Sequence, residues 1–115
     1  MSTRAHIAAK NIKTGKYKVI YNHSDGYEEH LGKTLREYYT NDEIVQELIE
    51  LGDCSFIGES PDSSDTKAYC RDYKEDWASN APKEFDTKEE VEEYCNEFNY
   101  NYIWEDGRWK RLNQF

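Results

Sequence analysis

The chain has 115 residues, of which 37% are hydrophobic and 34% charged, and its formal net charge at pH 7 is −9. Its 10 Tyr, 4 Phe and 3 Trp supply large apolar surfaces that disordered chains lack, so we expect a single folded domain spanning residues 1–115. No stretch approaches the roughly 18–20 apolar residues of a membrane span, and the N-terminus lacks a signal-peptide pattern. We therefore expect a cytoplasmic protein.

The charge is unevenly distributed along the chain. Residues 1–40 contain seven Lys and Arg against four Asp and Glu, whereas residues 41–115 contain eight against twenty. A strongly acidic surface repels the phosphate backbone of nucleic acids and attracts basic partners. We therefore expect no direct nucleic-acid binding and no membrane association, and the oligomeric state stays open.

The first 40 residues predict a β-hairpin followed by a helix. Residues 4–10 and 17–21 have the composition of strands, and turn residues occupy positions 11–16 between them. Beyond Gly26 the apolar residues recur at spacings of three and four, which predicts a helix beginning near Glu28. Its buried face is predicted to contain Leu31, Leu35, Tyr38 and Tyr39.

Two further helices are predicted from capping patterns. Thr40 and Glu43 match a capping box ahead of an apolar stripe, and Gly52 fits the C-terminal cap of the same helix. Asp86 and Glu89 match a second capping box. The buried face of this third helix is predicted to contain Val91, Tyr94, Cys95 and Phe98.

The remaining segments complete an α+β fold. Residues 53–64 are predicted to form a loop and residues 66–70 a short strand. The Asp106-Gly107 pair is typical of a hairpin turn. Tyr100, Tyr102 and Trp104 are predicted to share one face of its first strand. The order of elements predicts a small antiparallel sheet with about three helices packed on one face.

Residues 21–27 are a candidate ligand-binding turn. Tyr21, His23, Asp25 and Tyr27 offer two phenols, an imidazole and a carboxylate, and Gly26 allows close approach of the backbone. His23 and Asp25 can act as a base and the group that orients it. Ser-Asp-Gly is also ordinary turn chemistry, in which such side chains satisfy backbone groups.

Three residues farther along the chain are candidates to complete a pocket with the 21–27 turn. They are Tyr69, Arg71 and Asp72. A pocket of this kind predicts a small-molecule ligand such as a nucleotide. The alternative is a buried ion pair between Arg71 and Asp72, with Glu75 nearby, that has only a structural role.

Motifs for catalysis and metal binding are absent from the sequence. It has no Gly-x-Ser-x-Gly motif and no glycine-rich phosphate loop. The three histidines and three cysteines have no recognised metal-ligand spacing. We therefore expect no catalytic residues, no metal and no cofactor, and we favour a non-enzymatic protein, with a small hydrolase as an open possibility.

The third predicted helix carries a run of acidic residues on its outer face. The candidates are Glu89, Glu90, Glu93 and Glu97. Such a run is commonly a solvated helix face. The alternative is an interface in which ordered carboxylates stand in for nucleic-acid phosphates on a basic groove, with exposed tyrosines and tryptophans as anchors.

Several separated motifs carry a family resemblance. They occupy residues 2–4, 21–28, 31–32, 38–39, 48–55, 68–72 and 97–100. In this order they resemble a family of small bacteriophage proteins that share a Tyr-x-His-x-Asp-Gly-Tyr segment. The resemblance implies a phage origin but no reaction. Small phage proteins of this size and charge are often inhibitors of host defence, so by analogy it implies an anti-CRISPR-like protein acting in the cytoplasm of an infected host.

Together these observations predict a phage-encoded acidic binding protein. Its expected partner is a host protein complex with a basic surface, namely a CRISPR effector or a restriction system, which it inhibits by occupying that surface. The alternative is a protein that binds or sequesters a small ligand or nucleotide through His23, Asp25 and Tyr27.

Overall fold

A computed structural model describes residues 3–112. Its strands are β1 (Ala5–Lys10), β2 (Tyr17–Asn22), β3 (Cys54–Phe56), β4 (Lys67–Ala68), β5 (Lys83–Phe85), β6 (Tyr100–Glu105) and β7 (Arg108–Arg111). Its α-helices are α1 (Lys33–Tyr38), α2 (Asp42–Glu50), α3 (Trp77–Asn80) and α4 (Lys88–Tyr94). A π-helical turn, Glu28–Gly32, leads into α1, and a 3-10 turn, Cys95–Glu97, follows α4.

The strands form one mixed sheet, so the predicted α+β class is confirmed but the antiparallel sheet is wrong. The strand order is β4-β3-β2-β1-β6-β7, and β5 pairs with β2 off this path. The predicted hairpin of β1 and β2 is antiparallel. However, β1 pairs in parallel with β6, and β2 pairs in parallel with β3. Turn signals specify neighbours that are close in sequence, whereas these parallel partners are joined by long crossovers that no local pattern marks.

Helices cover both faces of the sheet, which corrects the prediction that they pack on one face. Ala5, Ile7 and Ala9 of β1 lie on the face that packs against α1 and α2, here called the α1/α2 face. Ala8 of β1 lies on the opposite face, here called the α4 face. There it packs in one cluster with Val19, Ile103, Val91 and Cys95. Central strands such as β1 bury apolar side chains on both sides, and each side requires its own cover.

The two helix caps lie one residue later than predicted. Asn41, rather than Thr40, caps α2, and its side chain accepts a hydrogen bond from the backbone N–H of Ile44. Thr87, rather than Asp86, caps α4 and accepts from the backbone N–H of Glu90. Thr, Asn and Asp can all cap a helix, so residue type does not distinguish adjacent candidates.

The predicted buried face near α1 is only partly correct. Leu31, Leu35 and Tyr39 are buried, but Tyr38 is 42% exposed. The spacing of four is kept through the π-helical turn and α1, and the error concerns the residue that is spaced by three from Leu35. A Cβ on Gly32 would lie 2.9 Å from the carboxylate of Glu28, which could move aside because it is the end of a flexible side chain.

The middle and the end of the chain contain both confirmed and unpredicted elements. The C-terminal hairpin is confirmed, with Asp106 at φ 57° and Gly107 at φ 74°. Strand β4 falls inside the predicted strand, but β3 lies within the segment expected to be a loop. Helix α3, which Asp76 caps, and strand β5 were not predicted.

No helix within residues 3–112 has the length and apolarity that crossing a membrane requires.

Candidate functional site

The 21–27 turn is tied to the sheet mainly through its backbone. The N–H groups of His23 and Ser24 donate to the carbonyls of Cys54 and Ser55, each at 3.0 Å. Gly26 donates to the carbonyl of Thr3 at 2.8 Å. Buried backbone groups must be paired, so much of this segment serves to join β2 to β3 and to the start of β1.

The candidate ligand residues of the turn are divided between two places. The hydroxyl of Tyr21 lies 2.6 Å from Nδ1 of His23, so these two side chains form a pair. Tyr27 instead packs edge-on against His30, with ring centroids 5.8 Å apart. Asp25 adopts φ 56°, and its carbonyl accepts a hydrogen bond from the N–H of Leu31 at 3.2 Å. Because Tyr21 occupies Nδ1 of His23, that nitrogen is bonded to a phenol and not to the carboxylate of Asp25.

Arg71 and Asp72 form an ion pair that organises the segment before β4. The guanidinium lies 3.0 Å from Asp72 and donates to the carbonyls of Pro61 and Thr66 at 2.6 and 3.1 Å. Asp72 also accepts from the backbone N–H of Ala68 at 2.7 Å. The hydrogen bonds from Arg71 lower the pKa of Asp72 below its ordinary value. These contacts match the structural alternative for this pair, although both side chains are only half-buried.

Tyr69 lies near the 21–27 turn because Asp53 accepts hydrogen bonds from both segments. The side chain of Asp53 accepts from the backbone N–H of Tyr21 at 3.0 Å, and its carbonyl accepts from the N–H of Tyr69, also at 3.0 Å. Burial raises the pKa of Asp53, and it also raises the pKa of Tyr69. The structure thus brings Tyr69 close to Tyr21, whereas Arg71 is engaged within its own segment.

A continuous row of rings, not anticipated from the sequence, crosses the α4 face. Phe85 contacts Tyr94 at 5.1 Å between centroids, and Tyr94 contacts His6 at 5.2 Å. His6 stacks on Phe98 at 4.2 Å, and Phe98 meets Tyr21 at 5.9 Å. Offset and tilted contacts at these distances are favourable for aromatic pairs. The row joins the end of α4 to the Tyr21–His23 pair, which are far apart in sequence.

His6 is the buried centre of this row. It is 4% exposed, and its Nδ1 lies 3.0 Å from the side-chain oxygen of Asn101. Asn101 donates its amide to the carbonyl of Phe98 at 2.7 Å, so its oxygen is the acceptor and Nδ1 of His6 carries the proton. Burial lowers the pKa of His6, and the Asn101 hydrogen bond and the charge of Glu97 only partly oppose this shift.

We expect His6 to make the protein less stable below about pH 6.5. Its pKa is lowered on folding, so the unfolded chain takes up a proton more readily than the folded protein. The free energy of unfolding should therefore fall as the pH drops from about 6.5 towards the lowered pKa of His6. Urea unfolding at about pH 7.5 and 5.5 measures this loss, which His6→Gln should reduce. An NMR titration in which the His6 ring titrates at or above 6.5 would contradict it.

A buried carboxylate anchors the start of α4 to the sheet. Glu105 is 8% exposed and contacts Lys88 at 2.7 Å, Tyr17 at 3.1 Å and Lys110 at 3.4 Å. Burial alone would raise the pKa of Glu105, but these donors, Lys88 foremost, outweigh it and lower the pKa. The charge-assisted bond to Lys88 holds α4 in a defined orientation, with its acidic side outward.

The acidic residues of α4 and its 3-10 turn are exposed beside the row of rings. They are Glu89, Glu90, Glu93 and Glu97. Within residues 3–112 none of the four has a cationic nitrogen within 4.0 Å. The exposed acids of α2 lie on a helix that covers the opposite face of the sheet. The negative charge is therefore spread around the molecule, and the acids of α4 and its 3-10 turn lie on the side of the sheet that carries the row of rings.

The cysteines have the character of core residues rather than reactive groups. Cys54 and Cys95 are fully buried, and burial raises the pKa of each thiol to about 12. Thiols with raised pKa values carry little thiolate at neutral pH and are poor nucleophiles. Among the side chains of residues 3–112, no three of His, Cys, Asp and Glu form a group that could hold a metal ion.

Comparison with known proteins identified no related protein. No protein-family model, no curated protein and no solved structure matches the chain. The function must therefore be argued from the site itself.

Proposed function

We propose that the protein is a non-catalytic binding protein that docks its α4 face on a basic surface of another protein. The surface is named here the aromatic–acidic face and comprises Tyr21, Glu89, Glu90, Glu93, Tyr94, Glu97 and Phe98. The resemblance to phage proteins makes host defence complexes, namely CRISPR effectors and restriction systems, the first partners to test.

The observation that carries this proposal is that exposed carboxylates and Tyr94, a member of the row of rings, lie on the same helical segment. Tyr94 is 39% exposed and lies on α4 itself, between Glu93 and Glu97 in sequence. Its ring contacts the rings of His6 and Phe85, both in tilted arrangements. Rigid aromatic side chains bind partners at little entropic cost and are enriched among the residues that dominate interface energies.

The charges favour a basic protein over a nucleic acid or an acidic partner. None of Glu89, Glu90, Glu93 and Glu97 has an ion-pair partner among residues 3–112. Complementary charges around aromatic anchors accelerate association and exclude partners of the wrong sign. Binding by this face blocks a basic groove directly, and that step requires no chemical reaction.

Replacing Glu90, Glu93 and Glu97 together with Gln is expected to weaken binding about tenfold, or about 1.4 kcal/mol. The fold should be unaffected because these side chains are exposed and Gln also suits a capping box. The measurement is calorimetric titration, at two salt concentrations, against CRISPR effectors and restriction enzymes of the candidate host. Higher salt should weaken binding of the unaltered protein more than binding of the variant.

A matched control changes the net charge equally on the opposite face. Replacing Glu43, Glu47 and Glu50 of α2 with Gln should alter the affinity less than about threefold. Equal losses from both triple variants would mean that only total charge matters and would contradict the proposed face. Loss of function from His23→Ala with no loss from the α4 variant would instead favour the small-ligand alternative, as would a thermal shift with nucleotides.

A further inference from the structure

One edge of the sheet is open within residues 3–112. β7 is the last strand in the order and pairs only with β6. Glu105 and Arg108 flank the two-residue turn, and Leu112 donates to the carbonyl of Asn101 at 2.8 Å. Bonded and non-bonded pairs alternate along an antiparallel ladder. The backbone groups of Trp109 and Arg111 therefore point away from β6, towards the open edge.

The open strand is basic although the whole chain has a net charge of −9. Lys110 contacts Glu105 at 3.4 Å, and Arg111 contacts Glu28 at 3.3 Å. Arg108 is exposed and has no ion-pair partner within the described part of the chain. This edge therefore presents a cationic side chain whose charge nothing within residues 3–112 neutralises.

A cleft of about 250 Å³ lies beside this edge, on the α1/α2 face. It is lined by Arg36, Tyr39, Thr40, Trp104, Gly107, Arg108 and Trp109. The indoles of Trp104 and Trp109 meet edge-on at 5.4 Å, and Trp109 donates to the carbonyl of Tyr39 at 2.8 Å. These contacts fix the apolar floor in place before any partner binds. Two arginines lie in the same lining.

We propose that the open edge of β7 accepts an acidic, extended segment of a partner protein as an additional strand. In strand addition, backbone hydrogen bonds give affinity and pockets for alternate side chains give specificity. Trp109 and Arg111 offer the backbone groups, and the cleft offers the pocket. Arg108, the one cation of this edge without an ion-pair partner among residues 3–112, selects for a carboxylate, and it disfavours pairing of β7 with a second copy of itself because like charges would meet. This surface is separate from the aromatic–acidic face.

The test uses a synthetic eight-residue peptide in which Glu alternates with Val, added to the ¹⁵N-labelled full chain. Amide hydrogen exchange of Trp109 and Arg111 should slow about tenfold on saturation, whereas that of Lys110 and Leu112, already bonded to β6, should change less than about twofold. This alternation within one strand distinguishes an added strand from simple charge attraction. The same peptide with Lys in place of Glu should not bind.

Variants locate the binding on β7. Arg108→Glu should weaken peptide binding about tenfold, and the exposure of Arg108 keeps the fold intact, which the NMR spectrum verifies. Lys67→Glu in β4, at the opposite end of the strand order, makes the same charge change and should leave the affinity within about twofold.

Four results would overturn the proposal. They are no binding at about 1 mM peptide, binding without alternating protection, binding unaffected by Arg108→Glu, and alternating protection that arises without peptide as protein concentration increases. The last result would assign the edge to a second copy of the chain, and sedimentation would detect that dimer.

Discussion

Gly52→Ala is expected to destabilise the protein by roughly 3 kcal/mol. Gly52 ends α2 at φ 80°, where an L-residue costs about 1–2 kcal/mol. In addition, a Cβ there would overlap the carbonyl oxygen of Asn80 in α3. That carbonyl accepts the N–H of Asp53 at 2.8 Å, so it cannot move without losing a hydrogen bond. Overpacking of this kind costs about a further 1–3 kcal/mol. Urea unfolding measures the loss.

Gly15→Ala separates backbone strain from overlap. Gly15 adopts φ 76°, close to that of Gly52, but a Cβ there meets no atom within 4 Å. Gly15→Ala should lower the free energy of unfolding by about 1 kcal/mol, from backbone strain alone. Equal losses for the two variants would mean that α3 does not pack against the end of α2 as described. α3 and β5 would then need a different position on the sheet.

Tyr102→Ala is expected to lower the free energy of unfolding by about 3–5 kcal/mol, enough to unfold a marginally stable domain. Tyr102 is 1% exposed and lies in the core of the α1/α2 face. Its hydroxyl donates to the carbonyl of Gly26 at 2.8 Å, which ties the 21–27 turn to β6. Removal of the ring leaves a cavity beneath that turn. Thermal unfolding measures this loss. The Tm of a domain of about 100 residues is expected to fall by about 4–8 °C for each kcal/mol.

Tyr102→Phe tests the hydrogen bond by itself. The ring stays and only the hydroxyl is lost, so the carbonyl of Gly26 loses this partner at a cost of about 1–3 kcal/mol. Amide signals of the 21–27 turn should shift in this variant. Tyr73→Phe, at a residue that is 50% exposed, should change stability by less than about 0.5 kcal/mol. A neutral Tyr102→Phe would mean that the turn is held independently of β6.

Local patterns predicted the elements whose signals lie close together in sequence. The β1–β2 hairpin, the Asp106-Gly107 turn and the apolar stripe of α2 depend on neighbouring residues, and each is present. Errors occurred where two adjacent residues were chemically equivalent, as with Thr40 and Asn41. They also occurred where two spacings predicted one face, since Tyr39, four residues after Leu35, is buried, whereas Tyr38, three residues after it, is 42% exposed.

The candidate site was only partly accessible from the sequence. The acids on the outer face of α4 were predicted from spacing, but His23 was expected to pair with Asp25 and instead pairs with Tyr21. The row of rings was not predicted, because His6, Phe98 and Tyr94 come from β1, the end of the 3-10 turn and α4. No local pattern indicates which rings the crossovers bring to His6.

By itself the sequence determined that this is an acidic, aromatic-rich α+β protein without recognisable catalytic motifs. Composition, turn chemistry and helix periodicity are local properties, and they suffice for those conclusions. Only the tertiary structure decided that the sheet is mixed, that helices cover both faces, and that α4 carries its acids beside the rings while the acids of α2 lie opposite. The physical reason is that long-range strand pairing decides which buried faces meet, and with them which exposed residues become neighbours.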